Sequence, residues 1–138
     1  MRVNFLTCRA QRAAHADLTR TVETLVRGFQ GPLAPALAGL VGEMSDDAIL
    51  ARTIRKEVLG RRRRSIRAAC ERGIARGEMR ADTNLELFMD MLTAPFYFRA
   101  LFGHVKLSSA MIETVVDTLL TRATSGRIPG ESILLPAP

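Results

Sequence analysis

The chain has two cysteines, two histidines, one tyrosine and no tryptophan in 138 residues. Cys8 and Cys70 are too few for a disulfide framework or a structural zinc site. His15 and His104 stand far apart, and neither has a His, Cys or carboxylate nearby in sequence at metal-ligand spacing. No glycine-rich loop leads into a lysine, so a phosphate cradle of the P-loop kind is excluded. No apolar run approaches the ~18 residues of a membrane-crossing helix. The opening MRVNFLTCRAQR has no apolar signal-peptide core. Glu113 and Asp117 stand four apart on one helix face, and a solvated face is the plainer reading of them. Together these absences predict a cytoplasmic protein that is not an enzyme and uses no metal or cofactor.

What is present is ordinary globular composition, with 47% hydrophobic and 25% charged residues. That length makes one domain, able to bury roughly two thirds of its unfolded surface. The net charge of +6 and the pI near 10.6 permit contact with anions without establishing it. The tightest basic run, Arg61 to Arg64, lies inside a helical pattern. Arg63 and Arg67 group with Arg52 and Lys56 as a solvated stripe, with nonspecific nucleic-acid binding as the alternative.

Apolar spacing predicts an all-α chain of about five helices and no strand. Residues 1–14, with Arg2, Arg9 and Arg12, read as an arm or partial helix. Leu18, Val22, Leu25, Val26 and Phe29 form a clean stripe on a helix from about His15 to Phe29. Pro32 suits the first turn of a second, short helix weakened by Gly39 and Gly42. Ser45, followed by Asp46 and Asp47, signals the start of a third helix. Its row Leu50, Ile54, Val58, Arg62, Ile66, Cys70 and Ile74 runs at i+4 to about Arg76. Gly60 permits a break there, but a continuous helix is expected. Ser108 caps the last helix, with Leu107 and Ile112 as its hydrophobic staple. Residues 124–138 are rich in proline and glycine and read as an irregular tail.

The segment from Arg76 to Phe102 organises the rest. Gly77 suits the left-handed residue after a helix end. Thr83 and Glu86 read as a capping box, with Asp82 as the other candidate cap. On the helix that follows, apolar residues cover an arc about twice the roughly 100° of an ordinary surface helix. Such a helix needs a second buried neighbour, either within a monomeric bundle or on another copy of the chain. Arg62 interrupts the third helix's apolar row, so it snorkels to water, pairs with a carboxylate or meets an anionic ligand. Arg99 poses the same question, with Glu113 or Asp117 as candidate partners.

Arg76-Gly77-Glu78-Met79-Arg80-Ala81-Asp82, then Leu85-Glu86-Leu87, then Ala94-Pro95-Phe96-Tyr97-Phe98-Arg99-Ala100-Leu101 resemble the C-terminal regulatory domain of TetR-family transcriptional repressors. The resemblance covers about His15 to Ala123. It implies a helical domain whose last two helices dimerise as a four-helix bundle. It also implies a small-molecule cavity between the first, third and central helices, for a small hydrophobic or anionic effector. Family members carry an N-terminal helix-turn-helix domain that residues 1–14 do not supply. DNA contact is therefore expected only through such a domain, and this chain reads as a fragment or a headless relative. The ligand candidates are Phe29, Arg62, Cys70, Phe88 and Phe96, each of which also reads as plain core. The dimer candidates are Met91, Phe98, Leu101, Phe102, Ile112, Val115, Val116 and Leu119. The rival reading is a structural helical homodimer without a ligand.

Overall fold

The computed structural model describes residues 5–31, 34–103 and 105–124. The readings of Arg2, of Pro32, of His104 and of the tail beyond Thr124 lie outside the described residues, as do the side chains of Cys8, Arg9 and Arg12. Among those described, every regular element is helical: α1 (Phe5–Gln30), α2 (Ala34–Glu43), α3 (Ala48–Thr53), α4 (Gly60–Ala75), α5 (Leu85–Phe102) and α6 (Ser109–Thr124). A π-helical stretch, Ile54–Leu59, joins α3 to α4 without interruption, so the described residues fold into five rods. None of these helices is long and apolar enough to cross a membrane.

The stripe on α1 is buried along its length, from Leu18 through Val22, Leu25 and Val26 to Phe29. It packs on α4 and α6 and also touches α5. α1 begins at Phe5, ten residues before the expected start. The expected continuous third helix is continuous, but not uniform. The π-helical stretch ends where the Gly60 N–H donates to the Arg55 carbonyl, five residues back instead of four. The i+4 row sinks into the core only after Arg62, at Ile66 and Cys70, while Val58 stays exposed.

The α4–α5 junction shows why this fold needs its glycines. Gly77 sits at φ +76°, a conformation that costs other residues roughly 1–2 kcal/mol. Its N–H donates to the Ile74 carbonyl and the Glu78 N–H to that of Gly73, which together close a Schellman turn. Gly73 is buried where Met79 and Ala14 converge, and a Cβ there would lie 3.3 Å from the Met79 sulfur. Glu78 is buried as well. Its carboxylate accepts the Ala14 N–H at 2.8 Å and the Arg76 Nε–H at 2.6 Å, which pins the junction to α1.

Two expected caps shift. Asp47, not Ser45, accepts the first amides of α3, those of Ile49 and Leu50. Asn84, not Thr83 or Asp82, caps α5 by accepting the Leu87 N–H. Thr83 instead donates to the Arg80 carbonyl, and Asp82 pairs with Arg80. In both places the residue immediately before the helix wins, because its side chain needs no turn to reach the free amides. Ser108 does accept the Met111 N–H, as expected.

Candidate functional site

α5 carries three separate faces. Phe88, Met89, Leu92 and Phe96 are buried in the protein's own core. A polar strip follows through Glu86, Asp90, Thr93 and Tyr97. About 120° round from the core face, at ~100° per residue, lie Leu87, Met91, Phe98 and Phe102. These four are 49%, 51%, 55% and 70% exposed. At that angular step they fall within ~60° of one another and form one apolar stripe. The Phe98 and Phe102 rings lie 4.8 Å apart along it. Beside the stripe, Met111, Val115 and Leu119 of α6 are half-buried. Pro95, Phe98, Met111 and Val115 wall an open groove of about 560 Å³ between the two helices.

On the polar side of α5 is a larger cleft of about 790 Å³, walled by α1, α4 and α5. That volume is within the ~300–1,000 Å³ of small-molecule sites. Val22, Leu25, Ile66, Met89, Ala94, Phe98 and Leu101 make most of its wall apolar. Arg20, Arg62, Arg63, Asp90 and Tyr97 supply its polar groups. Arg62 is half-buried where three helices meet. Its Nη1–H donates to the Tyr97 hydroxyl at 2.9 Å, and its guanidinium carbon lies 5.8 Å from the centre of the Phe29 ring. Phe29 and Tyr97 meet edge to face at 4.8 Å. Among the described residues Arg62 has a phenol and an aromatic face as partners and forms no ion pair.

The five ligand candidates therefore divide. Arg62 lines the cleft, and Phe29 does not but lies against Arg62 and Tyr97, which do. Cys70, Phe88 and Phe96 do not line it, because their positions on α4 and α5 point into the sealed core. Burial pushes the Cys70 thiol up to about 11, against a smaller lowering by the Arg67 charge. Tyr97 is the polar group that sequence reasoning missed, since it was not among the ligand candidates. Its being the only tyrosine, four residues from Thr93 on the polar strip, is the one signal that could have marked it.

The dimer candidates divide too. Met91, Phe98 and Phe102 lie on the outward stripe, and Leu101, Val115 and Leu119 are half-buried at its margins. Ile112 and Val116 are corrected: both are buried within this chain's own core and present no surface to a partner. Leu87 belongs to the stripe and was not among the candidates. Arg63 and Arg67, read as part of a solvated stripe, stay partly exposed but also have partners on the next helix. Arg63 pairs with Glu86 and Asp90, and Arg67 with Glu86, so both tie α4 to α5. Glu113 and Asp117 meet His15 of α1 rather than Arg99, at 3.3 and 2.9 Å from its Nε2.

Among the described residues the architecture is that of an all-helical bundle domain, with an apolar cleft between three helices and an exposed apolar stripe on one of them. The family model for the tetracyclin repressor-like C-terminal domain matches residues 11–119. The chain belongs to that family, the TetR-like C-terminal domains of transcriptional regulators. No curated protein matches the chain.

Proposed function

We propose that this domain is the effector-sensing and homodimerising part of a TetR-like transcriptional regulator. One observation carries the reading: α5 is apolar on two faces, and among the described residues only one of them is buried. A contiguous exposed apolar strip on a folded domain marks an interaction surface. Two copies related by a twofold axis cover each other's strip with the same residues, so no second protein is required. Leu87, Met91, Phe98 and Phe102 supply the centre of that contact, with Met111, Val115 and Leu119 of α6 beside it.

The cleft supports the sensing half. Phe98 and Leu101 belong both to the cleft wall and to the stripe or its margin. A molecule in the cleft therefore touches the helix on which the second copy rests. Ligand and dimer geometry are linked through α5, and binding shifts the population between two dimer arrangements.

Sedimentation equilibrium and a thermal-shift screen against a small-molecule library test the two halves separately. The expected result is a dimer at micromolar concentration and at least one stabilising compound. A ligand at a hundred times its dissociation constant adds ~2.7 kcal/mol of stability. A single protomer at that concentration removes the dimer. A dimer that no compound stabilises leaves a structural helical homodimer.

A further inference from the structure

Resting on the reading of the cleft as an effector site, we infer that its ligand is an amphipathic carboxylate, with its head held between Arg62 and Tyr97. The argument is a count of which polar groups in the cleft are still free to act. The hydroxyls of Thr21, Thr24, Ser65 and Thr93 each donate to a carbonyl four residues back on their own helix. Their protons are taken up. Asp90, the acid in the wall, is held by Arg63, and Arg63 is held in turn by Asp90 and Glu86. Arg20 is an exposed side chain beside Asp17.

That leaves Arg62 and Tyr97. Arg62 gives one N–H to the Tyr97 oxygen and keeps the others. Tyr97 accepts there, so its own O–H remains available to a third group. The pair is thus a cluster of donors carrying one positive charge, with no carboxylate paired to it among the described residues. A planar two-oxygen anion matches a guanidinium edge, since both hydrogen bonds can form in one plane. Burying half of a guanidinium beside aromatic rings is costly without such a partner. A neutral ligand leaves that charge uncompensated, and an ammonium repels it. Ile66, Met89, Phe98 and Leu101 then receive an apolar body.

The test is calorimetric titration of the full chain with dodecanoate, dodecanol and dodecylammonium, each below its micelle concentration. Dodecanoate should bind roughly tenfold to a hundredfold more tightly than dodecanol, the range for a hydrogen bond to a charged group. Dodecylammonium should bind weakest. Arg62→Met should remove the preference for the carboxylate over dodecanol. Arg62→Lys should keep part of the preference, and Tyr97→Phe should reduce it severalfold. Circular dichroism melts confirm that each variant folds. Equal binding of dodecanoate and dodecanol, or a preference that survives Arg62→Met, overturns the carboxylate and leaves the cleft as a binding site. Failure of all three probes overturns both readings.

Discussion

Phe102→Ala separates interface from core. Phe102 is 70% exposed in the single chain, so folding gains little from its ring. Covering a whole phenylalanine side chain is worth ~1.5–3 kcal/mol, which leaves ~1–2 kcal/mol for the exposed part. A twofold contact contains the residue twice, so the dimer loses about 2–4 kcal/mol, or roughly thirtyfold to a thousandfold in its dissociation constant. The stability of the protomer, read from urea unfolding at low concentration, should change by less than ~1 kcal/mol. Val116→Ala gives the opposite pattern. Val116 is 0% exposed, and losing two buried methyl groups costs the fold about 2–3 kcal/mol. Its effect on the dimer should only follow its effect on folding. Sedimentation equilibrium over a concentration series measures the first quantity, and chemical denaturation the second. An unchanged dissociation constant in Phe102→Ala would refute the reasoning, as would a dimer lost in Val116→Ala while the protomer stays folded.

Two other outcomes concern the protomer alone. Glu78→Gln keeps the shape of the side chain but replaces a carboxylate that accepts from Ala14 and Arg76 with an amide that must also donate. A hydrogen bond to a charged group contributes ~1.5–3 kcal/mol, so the urea midpoint should fall by about that equivalent; superimposable curves would count against the junction's role. Cys70 ionises near 11 in the folded chain instead of near 9.0, because burial disfavours the thiolate. The unfolded chain therefore loses this proton first, and this group's contribution to stability should fall as pH rises from about 9 to about 11. Native alkylation of Cys70 at pH 8 should be slow and should accelerate sharply on unfolding; fast labelling of the folded chain would contradict the burial.

Much of this architecture is legible from periodicity alone. The α1 stripe, the wide apolar arc of α5, the αL glycine at Gly77 and the cap at Ser108 all follow from spacing or residue type within one turn. What escapes is whatever depends on a partner far along the chain. Arg63 and Arg67 look like solvated charges until Glu86 and Asp90 arrive from the next helix. His15 looks isolated until α6 brings Glu113 and Asp117. The cleft is the hardest case. An apolar stripe against a filled core and one against open space have the same spacing, so Phe88, Phe96 and Cys70 could not be told from wall residues. Arg62 could be, because a cation on an apolar row demands a reason of its own.

The turn from Ile54 to Leu59 also sets what this rod tolerates. It holds one residue more than an α-turn would. Excising a single position there lets ordinary four-residue bonding resume, and because the wider turn has already absorbed the extra residue, both flanks keep their facing. Ile49, Ala51 and Arg52 then hold their compass bearing over an unmoved base. The surplus residue works as slack between two lengths of one rod, which can be taken up without turning either half.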